Sequence, residues 1–187
     1  MDAQVGANGR VHIRMNWNLI LTWLFLLGIV SLSDARPSFA VPMANDPRGF
    51  RELTWGISLA DHTDLTVLRA DDRVIDYRLN ESPPRFAGTE VESMVLSTIH
   101  NEFARVTIRY RGEETHKKLL AYLQQTYGTI PKLPGQMTRG LNQQYNWRGP
   151  ETEINLTYES NRDRGYLFIE SRTLSPRFND HITDTGE

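Results

Sequence analysis

In this 187-residue chain a histidine lies among carboxylates at Asp61-His62-Thr63-Asp64. An imidazole beside a carboxylate can serve as a general base, or join oxygen ligands around a metal ion. A small exported hydrolase using His62 with Asp61 or Asp64 is therefore one reading. Against it, adjacent residues on a helix point apart, and no second histidine follows at the four-residue spacing of helix-borne zinc sites. A capped, solvated helix start accounts for the same four residues. His100 falls in a predicted hairpin turn, His116 on the core border of a predicted helix, and His181 in the C-terminal tail. Their spacing matches no usual ligand set, so neither a metal nor any other cofactor is expected. The chain has no cysteine. That removes disulfides, thiolate metal sites, a cysteine nucleophile and a lipoprotein anchor. No Gly-x-Ser-x-Gly elbow, Walker loop or dinucleotide glycine fingerprint is present, and the stretch Gly135 to Gly140 lacks the lysine of a phosphate cradle. No catalytic residue is assigned, and an enzyme is the less favoured reading.

Arginines and large aromatics offer chemistry of another kind, that of binding. Lysine occurs only at Lys117, Lys118 and Lys132, so eighteen of the 21 basic residues are arginine. Arginine forks take carboxylate or phosphate through two parallel hydrogen bonds. Arg105, Arg109 and Arg111 form a row on a predicted strand that could grip an anionic partner, although glutamates predicted opposite two of them would answer their charge. Trp55, Tyr145 and Trp147 stand near strand ends. Such residues are usually core, but on an open sheet face they mark a recognition surface. The candidate binding residues are thus Trp55, Arg105, Arg109, Tyr145 and Trp147.

The elements that must position these residues follow from periodicity. Phe50 to Ile57 alternates as a short strand, and Ser58-Leu59-Ala60-Asp61 has capping-box spacing for a helix ending near Leu65. Val67 to Ala70 and Arg73 to Leu79 flank an Asp71-Asp72 turn, with Ile75, Tyr77 and Leu79 on one face. A hairpin turning at His100-Asn101 pairs residues whose numbers sum to 201. Val95 then faces Val106, Ser93 faces Ile108 and Val91 faces Tyr110 on the core side, while Glu92 meets Arg109 and Glu90 meets Arg111 outside. A long helix follows, with Glu113 and Glu114 in its first turn and His116, Leu119, Leu120, Leu123 and Tyr127 in its apolar stripe. Gly128 and Pro131 end it. Three alternating strands come next, Leu141–Arg148, Thr152–Glu159 and Gly165–Arg172. The expected fold is α+β: an antiparallel sheet of about six to eight strands, one long helix packed on one face, and one short N-terminal helix.

The first forty residues read as an address. Arg10 and Arg14 precede a 14-residue apolar run, Leu19 to Leu32, and small-x-small cleavage sites end at Ala35 and Ala40. The run is short for a membrane-spanning helix, which wants about 20 residues, so an uncleaved signal anchor is the weaker alternative. The expected organisation is a signal peptide over 1–40, a linker over 41–49, one domain over 50–172 and a flexible tail over 173–187. Removing residues 1–35 takes away two basic and two acidic residues and leaves the formal charge at −2. No global field draws such a body to nucleic acid or an anionic membrane. The expected location is the periplasm or outside the cell, with another envelope protein as partner and membrane contact only through the leader.

The segment Phe50-Arg51-Glu52-Leu53-Thr54-Trp55-Gly56 resembles the F-x-x-x-x-W-G opening of bacterial exported proteins without an assigned role. Those proteins also carry a central hairpin, a helix ending Tyr-Gly (here Tyr127-Gly128) and a late tryptophan strand (here Trp147), a likeness spanning Phe50 to Arg172. The order of elements is similar to small envelope binding domains of the BamE and β-lactamase-inhibitor-protein type. That resemblance is topological, supplies no function and transfers no residue roles. The leading reading, a non-enzymatic exported binding module, rests on the leader, the sheet-rich pattern and the missing catalytic set.

Overall fold

Twelve strands and one helix of seven or more residues make up residues 40–130 and 142–179, which the computed structural model describes. The strands are β1 (Val41–Pro42), β2 (Gly49–Phe50), β3 (Leu53–Thr54), β4 (Leu65–Ala70), β5 (Val74–Leu79), β6 (Arg85–Phe86), β7 (Thr89–Glu90), β8 (Ser93–Ile99) and β9 (Glu102–Arg111). Helix α1 (Glu113–Tyr127) follows, then β10 (Asn142–Arg148), β11 (Thr152–Glu159) and β12 (Arg164–Ser171). Eight strands form one sheet in the order β1-β10-β11-β12-β9-β8-β5-β4; β1 runs parallel to β10 and every other pairing is antiparallel. Two small hairpins, β2/β3 and β6/β7, stand outside it.

The α+β expectation is corrected: the chain is mainly β, built on one large mixed sheet. The short N-terminal helix does not form. Residues 59–65 make turns instead, with the His62 amide donating to Leu59 O (3.3 Å) and the Leu65 amide to His62 O (3.2 Å). Strand β4 already claims Leu65, leaving too few residues to repay helix nucleation. The expected strand over Phe50 to Ile57 folds back as the β2/β3 hairpin. Val41 and Pro42, read as linker, pair with Trp147 and Arg148.

Helix α1 forms where the stripe predicts it. His116, Leu119 and Leu123 are its buried residues. They join one core with Met94, Leu96, Val106, Ile108, Tyr110, Trp147, Ile154, Leu156, Tyr158, Leu167 and Ile169 from the sheet. Gly128, at φ 116, ends the helix with its amide bonded to Gln124 O, a backbone geometry that glycine adopts without strain. A second, smaller core gathers Val74, Ile99, Ala104, Leu174 and Phe178, with Trp55 packed against it. The segment after β12 thus lies against the sheet as far as Asn179.

The central hairpin departs from the expected register in an instructive way. His100 and Asn101 do form the turn, both at positive φ. Thr98 pairs with Phe103 and Ile99 with Glu102, matching the sum of 201. Between Ser97 and Thr98 the register shifts, because Ala104 is an extra residue on β9. Beyond it Ser97 pairs with Arg105, Leu96 with Val106, Val95 with Thr107, Met94 with Ile108 and Ser93 with Arg109. A one-residue slip exchanges the faces of a strand. Met94 and Leu96 therefore enter the core, and Ser93 and Val95 turn to the opposite face.

Gly165 lies across from Tyr110 in the β9/β12 pairing. A Cβ there would overlap the Tyr110 ring, closer than the 3.0 Å that real Cβ atoms keep. At the sheet margins, β1 is two residues long and includes a proline. At the other margin, β4 loses register between Val67 and Arg69, and Val67 and Leu68 are 54% and 49% exposed.

Candidate functional site: the helix-free face of the sheet

Alternation sends every second side chain of the sheet away from α1. Register places these outward residues in rows across the strands. The first row runs Asp76, Ser97, Arg105, Glu170, Glu153, Arg148. It is a balanced ladder. Arg69 Nη2 meets Asp76 Oδ2 at 3.1 Å, Arg105 Nε meets Glu170 Oε1 at 2.7 Å, and Arg148 Nε lies 3.6 Å from Glu153 Oε2. Ser97 Oγ donates to Asp76 at 2.6 Å, and Ser175 Oγ donates to Glu170 at 2.8 Å.

The second row runs Arg78, Val95, Thr107, Phe168, Asn155, Asn146, and the third Ser93, Arg109, Tyr166, Thr157, Gln144. Next to these, Arg111 and Arg164 stand directly opposite each other on β9 and β12. Like charges so placed are unfavourable by about 0.2–1 kcal/mol. Glu92 answers Arg111 through an ion pair. Among the described residues Arg78, Arg109 and Arg164 make no ion pair. Glu159 stands opposite Arg164 on β11 but pairs with Arg162 at 3.1 Å, and Arg164 Nε is buried without a hydrogen-bond acceptor. The Tyr166 and Phe168 rings stand on β12 with Arg164 and next to Arg109, near-parallel at 8° with centroids 6.5 Å apart.

Arg105 sits where the balanced row meets the C-terminal segment. Besides Glu170, it donates from Nη2 to Ser175 Oγ at 3.0 Å, and its Cζ lies 4.3 Å over the Phe178 ring centroid. Shallow depressions of about 230 and 250 Å³ flank this contact. Glu153, Glu170, Arg172 and Asn179 line the first, and Asp76, Thr107 and Arg109 the second. Both fall below the roughly 300–1,000 Å³ of pockets that enclose small molecules.

Of the five candidate binding residues, Arg105 and Arg109 stand on this face. The other three are packed elsewhere. Trp147 is fully buried under the helix side, its Nε1 donating to Gly128 O at 2.7 Å. Tyr145 is half-buried, bonded through its hydroxyl to Gln143 Oε1 at 3.1 Å. Trp55 donates from Nε1 to Thr152 Oγ1 at 2.9 Å and tilts against Phe103 with centroids 4.9 Å apart. Tyr166, Phe168, Arg78 and Arg164 were not singled out from the sequence. Tyr166 and Phe168 had a legible signal, since they occupy the outward positions of a strand whose inward positions are Leu167 and Ile169.

Among the described residues the histidines do not come together as a reaction centre. His62 Nδ1 lies 3.9 Å from Asp64 Oδ1, beyond hydrogen-bond reach, with side chains 36% and 66% exposed. A base needs an orienting hydrogen bond that this contact lacks. His100 is exposed in its turn. His116 is buried with Nδ1 2.8 Å from the Tyr110 hydroxyl, Nε2 3.3 Å from Gln143 Oε1, and its ring stacked 4.6 Å from Tyr158. Burial lowers its pKa from the usual imidazole value, against the opposing pull of the Gln143 bond and the Glu113 charge. Tyr158 is pushed up to about 12, first by its 2.6 Å hydrogen bond to Asp163 and then by burial. These groups brace the helix on the sheet in their neutral forms. Among the described residues no three histidine or carboxylate side chains converge to hold a metal ion. His181, the Gly135–Gly140 stretch, Leu141 and the leader lie outside the described residues. No helix among the described residues is long and apolar enough to cross a membrane.

No known protein family matches the chain, and no curated protein or solved structure is similar to it.

Proposed function

We propose that the protein is an exported, non-enzymatic binding module that meets another envelope protein through the helix-free face of its sheet. The observation that carries this reading is the division of labour between the two faces. One is sealed by α1 and an apolar core. The other presents half-buried aromatics and, at Arg78, Arg109 and Arg164, arginines that make no ion pair among the described residues. Aromatic rings and arginine are the residues that dominate protein–protein binding energy. The leader-like first forty residues support export to the periplasm or beyond.

The test is site-specific photo-crosslinking in intact cells. A photoreactive residue replacing Thr107 or Gln144, on this face, is expected to yield one discrete adduct with an envelope protein. The same residue replacing Lys118, on the exposed side of α1, is expected to yield none. Equal adduct patterns from both faces, or recovery of the chain from the cytosol with its initiator methionine intact, refutes the reading.

A further inference from the structure

The surplus charge on the helix-free face is local, in a chain whose formal net charge is −2. Near the C-terminal segment each arginine of the row has a carboxylate: Arg69 with Asp76, Arg105 with Glu170, Arg148 with Glu153. Toward the other end of the same strands, Arg78, Arg109, Arg111 and Arg164 share Glu92 alone among the ion pairs of the described residues. The Ala104 bulge produces this imbalance. In the unbulged register Glu92 would lie opposite Arg109, whereas the shifted strand gives it to Arg111 and leaves Arg109 unanswered.

We propose that Arg78, Arg109 and Arg164, with the Tyr166 and Phe168 rings on β12 beside Arg109, form a docking surface for an acidic segment of the partner protein. The proposal rests on the binding-module reading and names its partner chemistry. Three features select a protein segment over a small anion or a lipid surface. The surface is open, and the depression beside Arg109, about 250 Å³, is smaller than the pockets that enclose small molecules. The cations are spread instead of converging. Arg109 and Arg78 are two strands apart and one row offset, which amounts to roughly 12 Å at the usual strand spacing. The aromatic pair stands on the strand of Arg164 and next to Arg109, suiting a segment that carries apolar side chains as well as charge. An extended chain rises about 3.3 Å per residue. Carboxylates three to four residues apart therefore reach both arginines, and side chains that continue past Arg109 come over Tyr166 and Phe168 on β12.

The experiment uses the full chain without its leader and measures fluorescence anisotropy with a defined probe. The probe is a labelled peptide of about twelve residues with glutamate at every fourth position and leucine or tyrosine between; its counterpart carries glutamine in place of each glutamate. The glutamate peptide is expected to bind about tenfold more tightly, and to lose that advantage as salt rises past about 0.3 M. Arg109→Glu and Arg78→Glu, both at exposed positions, should each weaken binding about tenfold, while Arg148→Glu in the balanced row should change it less than about twofold. Equal affinity for the two peptides, or no effect of either exposed variant, overturns the proposal. So does binding of inorganic phosphate or phosphatidylglycerol vesicles with none of the acidic peptide. An envelope adduct that persists in the Arg109→Glu chain leaves the face reading standing and defeats the acidic segment alone.

Discussion

Gly165→Ala is the sharpest single perturbation of this fold, because alanine normally helps a strand. Gly165 carries no positive φ, so its backbone accepts an L-residue. Restricting the unfolded chain alone would stabilise by about 0.4–1 kcal/mol. The structure predicts the opposite sign. A methyl group at this position lands on Cζ, Cε2 and the hydroxyl oxygen of Tyr110. The ring cannot retreat freely, since its hydroxyl lies 2.8 Å from His116 Nδ1 and donates to Thr157 O at 3.2 Å, and its face stacks near Tyr158. Overpacking of this kind is unfavourable by about 1–3 kcal/mol, and loss of a buried hydrogen bond adds about 1 kcal/mol. The expected loss is about 2–4 kcal/mol, or a fall in Tm of about 5–15 °C for a domain of this size. Urea unfolding followed by far-UV circular dichroism measures it. Tyr110→Leu is destabilising on its own, yet it removes the obstacle. In that background Gly165→Ala should lie within about 0.5 kcal/mol of neutral. An equal loss in both backgrounds, or no loss in the wild-type background, would refute the steric argument.

Three further outcomes can be checked by similar means. Burial of His116 lowers its pKa, so the unfolded chain takes up a proton that the folded chain refuses. Stability should be full above the ordinary imidazole value near 6.5 and decline as pH falls toward the folded value, and His116→Gln should flatten that decline in a pH series of urea midpoints. Asp46 accepts amide hydrogens from Arg48, Glu151 and Thr152; burial raises its pKa, but the Thr152 hydroxyl and these amides outweigh it and the net shift is downward. Asp46→Asn should therefore destabilise at neutral pH, with the difference from wild type shrinking below pH 3.8 as the carboxyl protonates, read from thermal melts. Trp147→Phe removes the donor to Gly128 O at the end of α1 and should be destabilising by about 1–3 kcal/mol, with hydrogen exchange rising first in the last helical turn.

Much of this architecture could be read from local pattern. The helix was legible because its acidic first turn, its apolar stripe and Gly128 all agree on the same boundaries. Strands β5, β11 and β12 were legible because strict alternation leaves one possible inward face. The region after Ser58 was misread because capping spacing can occur without an apolar stripe to stabilise a helix behind it. The hairpin register was half legible. Its turn residues fixed the pairs nearest the turn, but Ala104 is an ordinary residue that carries no sign of being supernumerary. The same silence hid the candidate site. Whether Arg109 has a glutamate opposite depends on a register that the bulge resets, so its lack of a partner emerges only once the sheet is assembled. Tyr145 pairs with Leu156 and Trp147 with Ile154 on the inward face of the sheet, a placement that alternation along both strands already indicates and that removes them from the open face.

The two margins of the sheet restrict how this protein can associate. Two residues, one of them a proline without an N–H, cannot template a further strand. At the far side the irregular pairing of Val67 through Arg69 interrupts the even ladder that a docking backbone needs. Growth by backbone addition is thus discouraged at both ends, and with it fibre formation at high local concentration. Under the proposed binding role, recognition would have to run through side chains, so point substitutions, more than changes in chain length, would alter it.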